Sequence, residues 1–480
     1  MSVDRILISA SPGEIRIAEL DDGNLVGLTI DRDVQQSLVG DIVAGRVEAV
    51  IHNLQAAFID IGEERSGYLG LADARPHDAG SDDAIGNYVN EGDKVLVQIT
   101  RDPQDDKGAK VTMKLVLTGR DLVFTPGRPG VSLSRRIVDA GERDRLSAAM
   151  EAFGQSAGGF ILRTAAQEAE TEDVTSEASR LESRWAGLQG AYQDAHAPVC
   201  LERELEPACR LLRDQGGVDL AAVMVDSPDV FNRIKAFTEV EMPDISDLVN
   251  IYRGTAPLFQ SEGVEELIED VLDPWVALPS GGNIRISETD ALVAVDVNSG
   301  GATGGNREHL ITDVNCQAAA VIAREMKVRN LSGLMVIDFI TMRREENQEK
   351  VLNALRRAVA EDPQRPFVGG FTRFGLVELT RRRKGLSLSE ILCAGPSVPE
   401  KSPLTAALEA LRGALHASAS EPGSGYSLDV GKAVGDAFAE EAADALAAAR
   451  EQLGGRLDVD TNAALAPNAY AVRPLGAADG

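Results

Sequence analysis

Between residues 37 and 118, apolar and polar positions alternate with a period of two. The stretches GDIVAGRVEAVIHNLQAAFIDIG, SGYLGL and GDKVLVQITRDPQDDKGAKVTMKLVL are separated by Gly/Asp turns. Alternation of this kind marks strands with one face in a core. About five short, evenly spaced strands predict a small closed barrel, and an OB-type barrel fits that count. Residues 1–35 read as short strands with polar turns such as DDGN, and 119–165 stay strand-rich. From 167 to 192 acidic residues at helical spacing predict a solvated helix.

The pattern changes at about 220. AAVMVDS (221–227) is an apolar strand followed by a helix that starts on Pro. ALVAVDVN (291–298) and GLMVIDF (333–339) are two further apolar strands, which the run of hydrophobic residues predicts to be buried. Helices are expected at 306–328, with Leu310, Val314 and Ile322 on one face, and at 343–361, with Val351, Leu355 and Val359. Strands alternating with helices predict α/β layering. AGPSVPEKSP, after Cys393, reads as a Pro-rich linker before a small Ala-rich domain that ends in the strand-like NAYAVRP.

Composition adds little to this picture except at two points. At 480 residues the chain needs three or more domains. No apolar run approaches the ~18 residues of a membrane span, and the N-terminus lacks the shape of a signal peptide, so a cytoplasmic location is expected. The four cysteines form no CxxC pair, which argues against a disulfide framework and a zinc finger. The net charge of −28 disfavours nucleic-acid binding through overall charge. It leaves that role to local clusters such as Arg135-Arg136, Arg343-Arg344 and Arg381-Arg382-Arg383-Lys384.

Three groups of residues carry candidate chemistry. The runs LVAV and LMVI each end in an aspartate, Asp296 and Asp338. Two carboxylates at one sheet edge repel unless a cation lies between them, and hard oxygen ligands suit magnesium. Asn298, two residues on, shares the face of Asp296. A strand-end Asp can equally cap the loop that follows it, so spacing alone leaves both readings open. In the barrel, Phe58 and Tyr68 fall on neighbouring strands with Lys107 nearby in barrel order, which suits stacking of single-stranded bases or, alternatively, two core aromatics. Arg163-Thr164 in GGFILRTAA could hold a terminal phosphate, or Arg163 could pair with the acidic 167–183 stretch.

Taken in order, AAFIDIG, SRRI, GGFILRTAA, YRGTAPLFQ, LPSGGNIRI, ALVAVDVNSG, LSGLMVIDFI, TRFGLVELTRRR and SLSEIL resemble segments of the ribonuclease E/G family from residue 1 to about 392. The resemblance implies an α/β multidomain architecture. A ribonuclease H-like fold (1–36 and 208–271) is interrupted by an S1 RNA-binding domain (37–118) and a 5′-sensor region (119–207). A DNase I-like catalytic domain (272–392), a zinc-link segment (393–403) and a small C-terminal domain (404–480) follow. It implies magnesium-dependent endonucleolytic cleavage of single-stranded RNA that leaves 5′-monophosphates, in rRNA or tRNA processing or mRNA decay. By motif position Asp296, Asn298 and Asp338 match the catalytic residues, with Asp296 and Asp338 as magnesium ligands. Phe58, Tyr68, Lys107 and Arg365 match RNA contacts, and Gly119, Val123, Arg163 and Thr164 match a 5′-phosphate pocket. Gly119 is then expected to be glycine so that backbone can approach the phosphate.

The departures concern substrate grip and zinc. Cys393 is followed by AGP, where the family link is CPxC-like, so the zinc shared by two protomers is expected to be absent and Cys393 unpaired. A homodimer held by protein contacts stays open. SGGATGGN follows Asp296 where the family often carries Arg or Lys, and Thr341 stands where a carboxylate is usual. The length is similar to that of the short members, with no long scaffold tail. The rival reading is a catalytically weak or inactive RNA-binding protein of the same fold, favoured by these departures and opposed by the intact Asp296, Asn298 and Asp338.

Overall fold

The structure is a computed structural model that describes residues 3–76, 84–103, 107–154, 158–167, 169–214, 220–300, 307–360, 362–395, 398–421 and 424–475. It is mixed α/β and divides into two compact units: 1–36, 220–231 and 248–480 in the first, and 37–219 with 232–247 in the second. Among the described residues no helix is long and apolar enough to cross a membrane.

In the first unit the strands Arg5–Ser11, Glu14–Asp21 and Asn24–Arg32 form an antiparallel meander. Ala222–Val225 joins it in parallel with Arg5–Ser11, and Val249–Ile251 closes the five-stranded sheet. Leu7, Ala18 and Leu20 pack against Leu258, Phe259 and Ile268 from two following helices. Glu14, almost fully buried, accepts hydrogen bonds from Arg32 (2.8 Å) and Arg412 (2.6 Å). Arg32 also donates to the Ile391 carbonyl and to Thr405 Oγ1. A buried carboxylate is tolerable only with such paired, hydrogen-bonded partners, and here they lock the C-terminal lobe onto the meander. That lobe contains the helices Pro403–Ser420, Lys432–Ala439 and Ala443–Gln452 over a three-stranded sheet, with Tyr470–Pro474 as the strand expected at NAYAVRP. The expected linker is instead a small hairpin, Cys393–Gly395 with Val398–Lys401. Cys393 is buried there, and burial pushes its thiol pKa up.

The remaining sheet of the first unit runs in the order Trp275–Ala277, Asn283–Glu288, Val293–Asn298, Gly333–Asp338, Val377–Arg381 and Phe367–Phe371. Helices Arg307–Val328 and Glu345–Ala358 cover one face, where Val295, Val297, Met335 and Ile337 meet Val314, Ile322, Val351 and Leu355. On the other face every second described residue is exposed or half-exposed. The sequence pattern predicted strands buried on both faces; the apolar Ala294, Leu334 and Val336 that suggested it lie on the open side.

In the second unit Ile42–Ile51, Ala56–Asp60, Gly67–Gly70, Lys110–Thr112 and Lys94–Arg101 pair in sequence around a ring. Lys94–Arg101 pairs back on Ile42–Ile51 and closes it, so the five-stranded barrel predicted from the alternation is present. Val199–Glu202 adds to its outside. A four-stranded sheet of Leu117–Thr118, Leu122–Pro126, Gly158–Leu162 and Gly130–Leu133 follows. Two helices differ from expectation. Ala140–Ala149 interrupts the stretch read as strands; its charged sequence AGERDRLSAA gives little apolar signal, and Asp139 caps its start. Thr171–Asp194 is not merely solvated, because Val174, Glu177, Ala178, Leu181 and Leu188 form a buried stripe.

Candidate functional site

The strands Val293–Asn298 and Gly333–Asp338 run in parallel, and their register sets Asp296 directly opposite Asp338. Residues paired in register point to the same face. Here that is the open face, where both carboxylates are exposed. The expected buried pair is therefore a solvent-facing pair, because the helices occupy only the other side. Adjacent strands lie ~4.8 Å apart, close enough for one ion to reach both side chains. Asn298 Nδ2 donates to Asp296 Oδ2 at 2.9 Å and fixes the carboxylate plane. Among the described residues neither aspartate is ion-paired with a cationic side chain. No group of three or more His, Cys, Asp or Glu gathers as a metal site among them.

The same register extends the row outward: Asp296 faces Arg285, and Arg285 faces Trp275 at the sheet edge. The Arg285 guanidinium lies over the Trp275 ring, 5.3 Å from its centroid. Sequence reading did not single out these two, although the alternation in NIRIS puts Arg285 on the outward face. Beside the row, Asn283 opposes Asn298, and its buried Oδ1 has no partner among the described residues.

Arg365 is not brought to the aspartates. It is exposed in a turn with a left-handed backbone (φ 49°), which buried Asp362 stabilises by accepting from Arg381 (2.8 Å) and from the Gln364 amide (2.8 Å). The strand that follows starts at Phe367, opposite Thr380, which in turn faces Leu334. Leu334 is four residues before Asp338, roughly 13 Å along the strand. Residues 301–306 of the SGGATGGN stretch lie outside the described residues, and Thr341 is exposed.

In the second unit Phe58 and Tyr68 are register partners on adjacent barrel strands, edge to face with ring centroids 6.2 Å apart. Phe58 is half-buried and Tyr68 is 37% exposed, so neither is a core residue. Lys107 is exposed, three residues before Lys110, the register partner of Tyr68.

Arg163 follows the strand Gly158–Leu162, and its backbone N–H donates to the Asp121 carbonyl at 2.7 Å. Its side chain donates to the Gly119 carbonyl (2.7 Å) and to Asp214 (3.1 Å), so its acidic partner lies outside the 167–183 stretch. Thr164 is exposed, with Oγ1 3.3 Å from Ser134 Oγ, and Val123 is half-buried on the neighbouring strand. Gly119 has a reason to be glycine other than close approach to a phosphate: a Cβ there would overlap the carboxylate of Glu177. Glu177 is buried and accepts from the Asp121 and Leu122 amides. Burial, reinforced by the nearby Asp121 carboxylate, pushes its pKa up to about 7. Asp121 is itself raised by burial, and its Oδ1 has no partner among the described residues.

The sequence model of the "Ribonuclease E/G family" matches residues 116–384. The chain is 37% identical over 405 residues to Ribonuclease G of Haemophilus influenzae, covering 82% of each protein. It is 35% identical over 398 residues to Ribonuclease G of Escherichia coli, covering 81% of each. Against Ribonuclease E of Haemophilus influenzae the identity is 34% over 395 residues, 80% of this chain but 42% of that protein.

Proposed function

The chain belongs to the ribonuclease E/G family and is an endoribonuclease, and from that premise we propose that it cuts single-stranded RNA on the open sheet face at Asp296 and Asp338. The observation that carries this reading is the register that sets the two carboxylates side by side in solvent, neither of them ion-paired among the described residues. Their donor set fits magnesium, which takes one or two carboxylates and fills its remaining positions with water and substrate phosphate. When bound, the ion would polarise the scissile phosphate and lower the pKa of an attacking water.

The chain's own residues contribute orientation. Asn298 holds Asp296 by one oxygen and leaves Oδ1 for the ion. The covered face, packed with Val295, Val297, Met335 and Ile337, keeps both strands from shifting. Water attack on phosphorus leaves the phosphate on the 5′ end of the downstream fragment. Phe58 and Tyr68 present ring surface to unpaired bases, with Lys107 for a phosphate. Arg365 would meet RNA away from the cut. The pocket of Gly119, Val123, Arg163 and Thr164 would hold a 5′-monophosphate, with the Arg163 fork exchanging Asp214 for the ligand.

On this reading the meander sheet of the first unit is the ribonuclease H-like part and the sheet carrying Asp296 and Asp338 is the DNase I-like part. The setting is cytoplasmic rRNA or tRNA processing or mRNA decay. The test is incubation of the purified protein with a 5′-monophosphorylated, AU-rich oligonucleotide, with and without magnesium. Magnesium-dependent cleavage giving 5′-monophosphate ends is expected. Binding without cleavage would favour the inactive RNA-binding alternative.

A further inference from the structure

The row that contains the aspartates has an outer half that the nuclease reading leaves without a task. Trp275, Arg285, Asp296 and Asp338 are successive register partners across four adjacent strands, so their side chains stand in line on the open face. Arg285 is next to Asp296 but forms no ion pair with it or with any other carboxylate among the described residues; its guanidinium stays over Trp275 instead. Trp275 is 49% exposed. An exposed indole at a sheet edge has no stability reason to remain so, and an arginine beside it without a carboxylate partner among the described residues is a scarce resource in a chain of net charge −28.

We propose that Trp275 and Arg285 form a nucleotide subsite for the RNA strand that enters or leaves the Asp296–Asp338 centre: Arg285 binds the phosphate adjacent to the scissile one, and Trp275 stacks the base. This rests on the nuclease reading for the identity of its ligand. Three strand spacings, roughly 14 Å, separate the Trp275 strand from the Asp338 strand, with Arg285 between them. The order indole, guanidinium, carboxylate pair matches a strand that offers a base, then its phosphate, then the phosphate to be cut. A guanidinium bound to phosphate can keep its flat face on an aromatic ring, since its N–H groups point outward in the plane. An indole accepts any base, so the subsite adds grip without sequence preference.

The chain has two tryptophans, Trp185 and Trp275, which allows a test without catalysis. In the full-length protein, Trp185→Phe leaves Trp275 as the only indole reporter. Asp338→Asn, chosen because Asp338 is not the neighbour of Arg285, slows cutting during the titration. Adding a short single-stranded RNA should quench the Trp275 emission saturably, and blunt duplex RNA should quench it far less. In cleavage assays of the otherwise native chain, Trp275→Ala and Arg285→Gln should each raise KM about tenfold with a smaller change in kcat. Arg285→Gln should also reduce the slope of log affinity against log salt by roughly 0.7. Arg285→Lys should restore most of that slope.

Unchanged Trp275 emission while filter binding shows the same RNA bound would overturn the subsite and leave the nuclease reading intact. Unaltered KM and salt slope in Arg285→Gln would do the same. Quenching of Trp275 by RNA in the Trp185→Phe chain, together with a wild-type protein that cuts nothing, would instead remove the nuclease reading and support the subsite.

Discussion

Asp296 and Asp338 stand in solvent with no cationic side chain paired to them among the described residues, whereas Arg163 is already held by the Gly119 carbonyl and by Asp214. Both are proposed phosphate-handling sites, but their resting states differ. The aspartate pair is set by backbone register and has no ion pair to give up among the described residues. The Arg163 pocket is occupied by the protein's own groups: Glu177 fills the space beside Gly119, and Asp214 takes part of the arginine fork. A ligand there must displace an existing charge-assisted contact, so its binding is a difference between two ion pairs. A site that must exchange partners is suited to discrimination between substrates, and one that is open from the start to chemistry.

The largest expected effect tests the open site. Asp296→Asn and Asp338→Asn should each reduce cleavage roughly 10²- to 10⁴-fold, the equivalent of several kcal/mol of lost charge stabilisation, while RNA affinity changes little. Near-native rates in both variants would show that the pair is not the metal site.

Next in size is the occupied site. Wild-type protein should cleave 5′-monophosphorylated RNA faster than its 5′-hydroxyl or 5′-triphosphate counterpart. Arg163→Gln should remove a preference of about 10- to 100-fold without abolishing basal cutting. Equal rates on all three substrates in the native chain would eliminate sensing and leave the nuclease standing. Phe58→Ala should weaken single-strand binding by about 1–3 kcal/mol, and an unchanged Kd would return Phe58 to a structural role.

A pH series sharpens the contrast further. Glu177 has its pKa raised from 4.5 to about 7, chiefly by burial. The folded state therefore binds a proton that the unfolded chain releases. Its stabilising contribution is complete below about pH 4.5 and is lost progressively up to about pH 7, by an amount on the order of 3 kcal/mol. Glu177→Gln, which cannot ionise, should flatten the denaturant midpoint across that window and raise it at pH 8. A parallel pH dependence in the variant would assign the slope to other groups. The smallest expected effect is that of zinc: with Cys393 alone and buried in the hairpin, chelators should leave the oligomeric state unchanged. Finding one zinc per two chains by metal analysis would refute this.

The parts of the fold read correctly from sequence are those with a strict period. Alternation between 37 and 118 identified the barrel, and the apolar spacing of Val314, Ile322, Val351 and Leu355 located the two helices beneath the aspartates. Asp296 and Asp338 stood out as strand-end acids, but their exposure did not, because local hydrophobicity cannot tell a sheet covered on both faces from one covered on one. Ala294, Leu334 and Val336 made an open face look buried. Ala140–Ala149 was missed because its charged residues hide a single buried leucine. The partners of Arg163 lie 44 and 51 residues away, beyond any local pattern. Trp275 and Arg285 were overlooked for a similar reason: only strand pairing makes neighbours of them.

Register also limits how this chain can tolerate changes in length. Side chains in a strand alternate between faces, so deleting one residue from Val293–Asn298 before Asp296 would turn that carboxylate toward the helix Arg307–Val328 or break the pairing with Gly333–Asp338. The same deletion between the two strands, outside the helix, would leave both aspartates opposite each other. Insertions and deletions should therefore be lethal to cutting in the strand residues leading up to Asp296 and to Asp338, and far milder in the connection between the two strands.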